Sequence, residues 1–341
     1  MSELPPRIEV AIIGGGFAGC AAAWALRRRG VDAIVLERED VLGRFASGRG
    51  AGLGRQLAED DATTALTVRG AAVLRDQIAG AWTPTGGILT FDEPARVDAY
   101  LARAERHGIA VEVITRVRVL AQWPELDHLP IASALAIESD GVIDIRALLA
   151  FYAASAHVVL GAGVESIEAG GAGARVVTAR GTIEARFVVD ASGAWGGALT
   201  GDPPLDALKR HLFVLEAAPR SGAPYLWHLG SEELYLRAEG AGILASACDA
   251  VAGVACDAAT DPEGEHGLRS LLQRVAPHHL AHARIARQWA CQRSFTPDRQ
   301  MLLGRDPGRP WLFWALGLGG HGATASPAVG EVVAAAVVAA L

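Results

Sequence analysis

The chain has 341 residues, which is enough to bury a large core and favours two domains over one. Hydrophobic residues make up 51% of the sequence and charged residues 20%, and this composition excludes a disordered chain. The formal net charge is −7, and no basic run is long enough to follow a phosphate backbone, so we do not expect a nucleic-acid partner.

Cysteine usage and hydropathy indicate a cytoplasmic protein without structural disulfides or zinc. The cysteines Cys20, Cys248, Cys256 and Cys291 form neither a Cys-x-x-Cys pair nor a metal-ligand spacing. The apolar runs near the two ends are too short to span a membrane, and the N-terminal run has no basic leader or cleavage site. We therefore expect no metal ion and no membrane span.

The first predicted elements form a strand, a turn and a helix. Ile8–Ile13 has the apolar pattern of a buried parallel strand, and Ala18–Arg29 has that of a helix. Between them the sequence matches G-x-G-x-x-G at Gly14, Gly16 and Gly19. In this pattern Gly14 permits the tight turn, Gly16 lets the backbone approach a pyrophosphate, and Gly19 lets the helix pack closely on the strand.

A second strand completes this unit. Gly30 ends the helix, and Val31–Leu36 is a second buried strand that leads into Glu37. Glu37 follows Gly19 by 18 residues, which places it to accept hydrogen bonds from an adenosine ribose. The free N–H groups at the start of the helix suit phosphates. The unit predicts dinucleotide binding, and the acidic Glu37 disfavours NADP.

The loop of residues 41–54 helps to distinguish the remaining dinucleotides. Its sequence, VLGRFASGRGAGLG, has five glycines at the point where an NAD dehydrogenase would begin a third strand. Small residues suit a loop that follows the pyrophosphate and ribityl chain of a flavin, and Ser47 and backbone N–H groups can donate to phosphate. Taken alone, the same composition also fits a flexible surface loop.

Two distant segments favour the flavin. Residues 185–199, ARFVVDASGAWGGAL, predict a buried strand and then a glycine turn that contains Trp195. Residues 310–333 predict another apolar strand, a glycine-rich loop and a helix, with Ser326 as the N-cap and Pro327 in the first turn. A second glycine-rich junction of this kind would present N–H groups to the electron-rich edge of a flavin ring.

In this order, the segments resemble those of the FAD-dependent D-amino-acid oxidase superfamily, in particular its branch of glycine oxidase, sarcosine oxidase and D-arginine dehydrogenase. The matching stretches are VLEREDVLGRFASGRGAG, VVDASGAWGGAL, LYLRAEGAGIL and GLGGHGATASPAVGEVV. The resemblance implies an α/β fold, with a Rossmann-like FAD-binding domain and a second α+β substrate domain built on a mixed or antiparallel sheet. It assigns residues 1–80, 142–204 and 298–341 to the FAD-binding domain and residues 81–141 and 205–297 to the substrate-binding domain.

The resemblance also implies which positions contact FAD. They lie in the glycine loops, at the ends of the predicted strands and at the start of the last helix. The implied residues are Gly14, Gly16, Phe17, Ala18, Gly19, Glu37, Arg38, Ala46, Ser47, Gly48, Arg49, Gly50, Ala51, Gly52, Leu53, Val164, Ala191, Gly193, Trp195, Gly319, Gly320, His321, Gly322, Ala323 and Thr324.

Three residues are implied to act on the substrate. Family members hold the substrate carboxylate with an arginine at the place of Arg293, and a planar guanidinium binds a carboxylate through two hydrogen bonds. The alternative for Arg293 is a structural pair with an acid in the core. Tyr235 matches a position that faces the substrate in relatives, although its ring also fits a core. His321 could either influence the reaction with oxygen or proton transfer at the flavin, or be a partly exposed loop histidine.

Lys209 and Arg210 are expected to be the solvated end of a strand.

Cys291 leaves two alternatives open. The run CQRSFTPD resembles the stretch in which sarcosine oxidases carry FAD covalently on a cysteine. Arg293 within that run instead follows the amino-acid oxidases, which bind FAD noncovalently, and a free buried thiol is common. We expect noncovalent FAD, with a covalent link at Cys291 as the alternative.

The sequence departs from these relatives near the substrate. The tyrosine and histidine that they carry after the flavin loop are replaced by Leu53 and Ala58, and no acidic residue matches the one that reads a basic side chain in D-arginine dehydrogenase. Lys209, the single lysine, does not match the lysine that some relatives use for oxygen activation. These departures favour a small, neutral amino acid.

The expected function is oxidation of a D-amino acid, glycine or an N-alkyl amino acid to the imino acid by hydride transfer to the flavin. The electrons would pass to oxygen or to another acceptor. One alternative is an FAD-binding subunit that passes electrons to a partner protein. Others are FAD-dependent oxidation of a 2-hydroxy acid, with His321 as the base, and an NAD-binding module.

Overall fold

Two large β-sheets organise the chain in a computed structural model, which describes residues 4–171, 173–218 and 220–341. Residues 1–3, 172 and 219, which fall within the predicted domain segments, lie outside the described residues. The strands, in chain order, are β1 Arg7–Ile13, β2 Ala33–Leu36, β3 Leu53–Gly54, β4 Trp82–Thr83, β5 Gly87–Phe91, β6 Glu112–Ile114, β7 Ser133–Ile137, β8 Gly141–Ile143, β9 His157–Val159, β10 Val164–Gly170, β11 Gly173–Thr178, β12 Gly181–Asp190, β13 Asp206–Leu215, β14 Tyr225–His228, β15 Leu234–Glu239, β16 Gly242–Ser246, β17 Val251–Gly253, β18 Ile285–Phe295, β19 Leu302–Arg305 and β20 Leu312–Leu316.

Helices cover both sheets. Within the described parts of the chain, no helix is both long enough and apolar enough to cross a membrane. The α-helices are α1 Phe17–Arg27, α2 Asp61–Gln77, α3 Ala95–Arg106, α4 Arg116–Gln122, α5 Ile145–Ser155, α6 Pro262–Val275 and α7 Gly322–Val338, and short 3₁₀ turns lie at Pro124–Leu126 and Gly193–Trp195.

The first sheet has the order β10-β11-β12-β1-β2-β9, with β20 paired to β12 and β19 to β20. Its centre is parallel, because β1, β2, β9, β12 and β20 run in the same direction. Successive residues of β1 pack on opposite faces: Val10 and Ile12 join the core beneath α1, whereas Ala11 and Ile13 join the core on the other face. Burial on both faces explains the uninterrupted apolar run that predicted this strand.

Helix α1 packs closely against its neighbours because glycines at the contacts have no side chain. A Cβ atom at Gly19 would overlap the carbonyl oxygen of Gly14, so the third glycine of the motif has the predicted packing role. At the other side of α1, a Cβ atom at Gly330 in α7 would overlap the carbonyl oxygen of Ala21. Gly30 has φ of +73° and its N–H bonds the carbonyl of Arg27, as expected of the residue that ends α1.

The second sheet has the order β17-β13-β16-β15-β14-β5-β7-β6, with β18 paired to β13. Strands β14 and β5 are parallel and the other pairs are antiparallel, so the sheet is mixed, as predicted. Helix α6 covers part of one face with Leu268, Leu271 and Leu272. The α/β fold with a parallel sheet and a second α+β unit is therefore confirmed.

The chain crosses between the two sheets more than once. Strands of the first sheet come from the beginning, middle and end of the chain, and strands of the second come from the intervening segments. We propose that the domains follow the sheets, with residues 1–80, 142–204 and 298–341 in the FAD-binding domain and residues 81–141 and 205–297 in the other.

The predicted start of the last helix is wrong. Helix α7 begins at Gly322, with His321 as its N-cap, so Ser326 and Pro327 lie inside the helix. Pro327 has no N–H to donate to the carbonyl of Ala323, but the Ser326 hydroxyl donates to that carbonyl at 3.3 Å. This side-chain hydrogen bond takes the place of the missing backbone hydrogen bond, so the helix includes Pro327 and begins at the glycine loop.

We predict that Gly330→Ala destabilises the protein by about 1–3 kcal/mol, because the new methyl group must push α7 away from the backbone of α1. Thermal unfolding or urea denaturation measures this change. The matched control is Gly267→Ala in α6, where a Cβ atom meets nothing within 4 Å. There the same substitution should raise stability by up to about 1 kcal/mol through helix propensity. Equal effects of the two substitutions would contradict the close packing of α1 and α7.

Candidate active site

A cavity of about 670 Å³ lies where the two sheets meet. From the first sheet its wall contains the carboxyl ends of parallel strands, where ligands bind in open α/β sheets. From the second sheet it contains side chains of β13, β15 and β18. Every residue that the family resemblance implied for FAD or substrate lines this cavity, except Gly19 and Gly48.

The first glycine loop leaves its own backbone accessible to a phosphate group of a ligand. Gly14 has φ of +100°, and a Cβ atom there would lie 2.7 Å from the carbonyl oxygen of Ala191. The N–H of Phe17 donates to Ser47 Oγ at 2.9 Å, which ties the two predicted phosphate-binding loops together. The first turn of α1 contains no acidic side chain, so the positive end of its dipole is available to an anion.

Glu37 forms the wall beyond this loop. Its Oε2 accepts the Gly15 N–H at 2.6 Å and its Oε1 accepts the Glu39 N–H at 2.9 Å, which holds the carboxylate at the cavity. Each carboxylate oxygen retains a lone pair for a further donor. Next to it, the Arg38 guanidinium stacks on the Trp195 ring at 3.9 Å from the centroid.

The second glycine loop is attached to the second sheet through Arg49. The Arg49 guanidinium donates to the carbonyl oxygens of Ala258 and Ala290 at 3.0 and 3.2 Å, and its own carbonyl accepts from Trp289 Nε1 at 2.9 Å. Gly48 is not in the wall, since a Cβ atom there would overlap the carbonyl of Gly43 within the loop. These contacts give the loop a fixed conformation and contradict the alternative of a flexible surface loop.

The last glycine loop closes the opposite end of the cavity. Gly319 and Gly320 have φ of +58° and +96°, values that glycine adopts readily. A Cβ atom at Gly320 would lie 3.1 Å from Arg293 Cδ, so this loop packs directly on the arginine side chain. Helix α7 starts there, again with no acidic residue in its first turn. The cavity is thus bordered by two helix N-termini that suit electron-rich groups.

Arg293 lies in this wall without an acid partner. In the described parts of the chain, no carboxylate oxygen comes within 4.0 Å of its guanidinium, and its buried Nε has no hydrogen-bond acceptor. Burial, and then the positive charge of Arg210, lower the pKa of Arg293 to about 10, so it stays charged near neutral pH. Within the described residues, Arg293 therefore does not form the alternative predicted for it, a structural salt bridge to an acid of the core.

Arg210 corrects an expectation from the sequence. It is not a solvated strand end: only 6% of it is exposed, and its Nη2 and Nε donate to the carbonyl oxygens of Cys248 and Asp249 at 2.6 and 3.2 Å. Lys209 points the other way on β13 and pairs with Asp261. Strand alternation places Arg210 on the cavity side, and antiparallel pairing puts Cys291 opposite it and Arg293 two residues further along.

Tyr235 and Cys291 pack beside the two arginines. Tyr235 is 3% exposed, and burial raises the pKa of its hydroxyl to about 12, so it is a neutral hydrogen-bonding group in the wall. Both predicted descriptions of this tyrosine hold, because the ring belongs to a buried cluster and also faces the cavity. Burial also raises the pKa of the Cys291 thiol, which disfavours a reactive thiolate.

His321 lies in the same wall and is mostly buried, with 15% of its side chain exposed. Its Nε2 is 3.4 Å from Glu59 Oε2, and Glu59 Oε1 accepts from Arg55 Nη2 at 2.8 Å. Burial lowers the pKa of His321. Partial desolvation opposes ionisation of Glu59, but Arg55 and His321 lower its pKa to about 2.

Sequence reasoning missed several wall residues. Arg55 and Glu59 follow the glycine loop and form an ion pair outside any helix, so helical i, i+4 spacing was no signal for it. Arg210 and Trp227 also gave no local signal, because only the pairing of distant strands brings them to the cavity. The wall residues outside the predicted set that carry polar or aromatic groups include Phe45, Arg55, Glu59, Arg210, Trp227 and Glu233.

Comparison with known proteins assigns the family. The profile described as DAO, FAD dependent oxidoreductase, matches residues 9–336. The chain belongs to this family. It is therefore an FAD-dependent oxidoreductase, which confirms FAD rather than NAD as its cofactor.

The relatives of this DAO-family chain include a protein of similar length and a longer protein. It is 26% identical to 4-methylaminobutanoate oxidase (formaldehyde-forming) from Paenarthrobacter nicotinovorans, over 97% of this chain and 44% of that protein. It is 27% identical to glycine oxidase from Geobacillus kaustophilus, over 96% of this chain and 92% of that protein. A solved structure of glycine oxidase from the same organism superposes with a TM-score of 0.83, at 25% identity, over 98% of this chain and 95% of the other. The chain thus spans less than half of the first relative's length and most of the second's.

The wall residues fit the cofactor. Glycine at positions 14 and 16 lets the backbone before α1 pack closely on neighbouring segments, because a Cβ atom there would lie 2.7 Å from the Ala191 carbonyl oxygen and 3.0 Å from Ser47 Oγ. Glu37 presents a carboxylate in the same wall, and the glycines before α7 leave backbone exposed to the cavity. A cavity bordered by two helix N-termini and these glycine loops suits the pyrophosphate and ring system of FAD.

We predict that Glu37→Gln raises the dissociation constant of FAD by a factor between about 10 and about 150, since it removes a charged hydrogen-bond acceptor worth about 1.5–3 kcal/mol. Flavin fluorescence during titration of the apoprotein measures the constant. The control is Glu9→Gln, because Glu9 also accepts a backbone N–H, from Asp32 at 2.9 Å, but lies outside the cavity wall. Equal affinities of the Glu37→Gln variant and the wild type would rule out a role for this carboxylate in FAD binding.

Proposed function

We propose that the chain oxidises a small amino acid, either a D-amino acid, glycine or an N-alkyl amino acid, to the corresponding imino acid. FAD bound in the cavity would supply the acceptor for the hydride. The chain's own residues bind the substrate carboxylate, orient the α-carbon and exclude water from the reacting end. The names of two relatives support this substrate class, since glycine oxidase and 4-methylaminobutanoate oxidase both act on amines.

The observation that carries the proposal is the uncompensated charge of Arg293. A buried guanidinium without an anion is unstable, so a site that holds one is built for an anionic ligand. The planar fork of Arg293 matches a carboxylate, and its mostly enclosed position, with a buried Nε, makes that contact strong and directional.

Arg210 and Tyr235 support the same assignment. Arg210 is held by two carbonyl oxygens, and its Nη1 makes no hydrogen bond within the described structure, so it can face the ligand. Its guanidinium carbon is 5.8 Å from the centre of the Tyr235 ring. We propose that the two arginines and the tyrosine hydroxyl together bind one carboxylate group.

FAD would be held by residues from all the glycine-rich segments. The start of α1, Ser47 and the backbone of the second loop would bind the pyrophosphate. Glu37 would accept hydrogen bonds from the ribose, and the loop before α7 would lie at the ring. The remaining predicted FAD residues would complete the wall, with Gly19 and Gly48 acting through packing and not through contact.

We predict that Arg293→Met lowers kcat/KM for amino acids by a factor between about 30 and about 5,000, because a buried charge pair with the substrate is worth about 2–5 kcal/mol. The measurement is the rate of anaerobic flavin bleaching by glycine, sarcosine, D-alanine and D-proline, with retained FAD checked by absorbance. The matched control is Arg287→Met on the same strand, where the side chain is 55% exposed and pairs with Glu239. Unchanged kinetics of the Arg293→Met variant would exclude it as the carboxylate ligand. Bleaching of the wild type by none of these compounds would contradict the substrate class.

We propose that FAD is bound noncovalently, because burial disfavours the thiolate that a link at Cys291 requires. Acid precipitation of the purified protein should leave the yellow colour in the supernatant, and Cys291→Ser should retain FAD. A yellow pellet from the wild type and a colourless one from Cys291→Ser would establish covalent attachment instead. Hydrogen peroxide formation in air, measured in the same samples, distinguishes oxygen from a partner protein as electron acceptor.

A further inference from the structure

One wall of the cavity carries charged groups that the carboxylate site does not use. We call Arg55, Glu59 and His321 the Glu59 cluster, since the Glu59 carboxylate lies between the other two. All three line the cavity. Near this part of the flavin loop the family resemblance implies a tyrosine and a histidine, and this chain has Leu53 and Ala58 in their places.

Arg55 fixes one end of the cluster. It is 2% exposed, its Nε donates to the carbonyl of Leu57 at 2.8 Å, and its guanidinium carbon stacks 4.5 Å from the centre of the Trp227 ring. Because this cation is immobile and always charged, it holds Glu59 as a carboxylate in one orientation. The second oxygen of Glu59 is then directed at His321.

The position of Glu59 determines how His321 carries its proton. The Nε2 atom of His321 is buried and has no hydrogen-bond partner within the described residues, and Glu59 Oε2 lies 3.4 Å from it, within the distance of an ion pair. A carboxylate beside Nε2 favours the tautomer with hydrogen on that nitrogen, which leaves Nδ1 as an acceptor. This is the arrangement by which a carboxylate orients a catalytic imidazole.

The charges around His321 nearly balance. Glu59 and Asp60 act on it with negative charge, and Arg55 and Arg293 act on it with positive charge; the first three belong to one segment of the wall, and Arg293 belongs to β18. Burial therefore decides the protonation state and lowers the pKa of His321 below its ordinary value of 6.5. At neutral pH the imidazole is uncharged and able to take a proton.

His321 is also adjacent to the proposed carboxylate site. Gly320, the preceding residue, packs on the Arg293 side chain. In an α-amino acid one carbon separates the nitrogen from the carboxylate. A substrate whose carboxylate is held by Arg293 therefore places its ammonium group close to this loop. The ammonium must lose a proton before oxidation, because its lone pair forms the new C=N bond.

We propose that His321 accepts this proton and that Glu59 and Arg55 position it, an inference that rests on the proposed function. An N–H bond of the substrate ammonium breaks, its electron pair stays on the nitrogen, and an N–H bond forms at Nδ1. The substrate changes from a zwitterion to a neutral amine with its carboxylate, and His321 becomes an imidazolium that Glu59 stabilises. His321 is the catalytic residue here, and Glu59 and Arg55 are positioning residues.

The first test is the pH dependence of kcat/KM for flavin reduction. In the wild type the acid limb should lie below pH 6.5, with a plateau at neutral pH, because His321 is already deprotonated there. In His321→Gln the neutral amine must come from solution, so kcat/KM should fall about 100-fold at pH 7 and rise tenfold per pH unit up to the pKa of the substrate amine. The control is His266→Gln, an exposed histidine in α6, which should keep the wild-type profile.

The second test does not depend on activity. Labelling the ten histidines with ¹³C at Cε1 gives an NMR titration in which the resonance absent from His321→Gln belongs to His321. Glu59→Gln should move its midpoint to lower pH, because the carboxylate raises the pKa that burial depresses. Glu59 is half exposed to the cavity, so this substitution leaves the core intact.

The outcomes separate the two proposals. If amino acids reduce the wild type and His321→Gln with the same flat profile at neutral pH, the proton acceptor is not His321, although the proposed function stands. An unmoved His321 midpoint in Glu59→Gln would overturn the positioning role of Glu59. If no amino acid reduces the flavin of the wild type, the proposed function fails first and the proton transfer fails with it.

Discussion

The pairing of β13 with β18 is the constraint on which the substrate end of the cavity depends. Antiparallel register places Arg210 opposite Cys291, and Arg293 follows two residues later on the same face. Two guanidinium groups are thereby held in a buried wall without acid partners, which is costly for the folded chain unless an anion binds. The carbonyl contacts of Arg210 and the aromatic rings beside both arginines reduce this cost but leave donors directed at the cavity.

Charge is distributed along the cavity in a way that matches an elongated, mixed ligand. One end has a carboxylate, Glu37, next to a helix N-terminus, and the other has two arginines next to a second helix N-terminus. Between the loops, the backbone comes close because glycines replace side chains at Gly14 and Gly320. Under the proposed function, binding of FAD and binding of a carboxylate substrate depend on different groups, so substitutions at one end should leave the other intact.

Under our proposal, the Glu59 cluster adds a proton-accepting function to a site whose other side chains bind ligands. Arg55 holds the Glu59 carboxylate by a hydrogen bond, and the second oxygen of that carboxylate lies 3.4 Å from His321 Nε2. Burial in the cavity wall lowers the pKa of His321, and the nearby positive charges of Arg55 and Arg293 lower it further. Burial also keeps the Tyr235 hydroxyl protonated near neutral pH, so this residue can form hydrogen bonds there but does not act as a base.

Local sequence patterns were sufficient for the Rossmann-like half. The apolar run of β1, the glycines of the first turn and the acidic Glu37 each act over a few residues, so their spacing alone predicts structure and cofactor class. The start of α7 was misjudged because a side-chain bond from Ser326 compensates for Pro327, and this bond is invisible to capping rules. The family resemblance then placed Arg293, Tyr235 and His321 at a common cavity, and the structure brings them together there.

By itself, therefore, the sequence determined the parallel strands, the dinucleotide turn and, with the resemblance, an FAD-dependent oxidoreductase. Only the tertiary structure decided that Arg210 is buried rather than solvated, that Arg293 has no acid partner and that Glu59 reaches His321. The physical reason is distance along the chain. Helix and turn signals come from neighbours in sequence, whereas these contacts join strands and loops that are far apart until the two sheets assemble around the cavity.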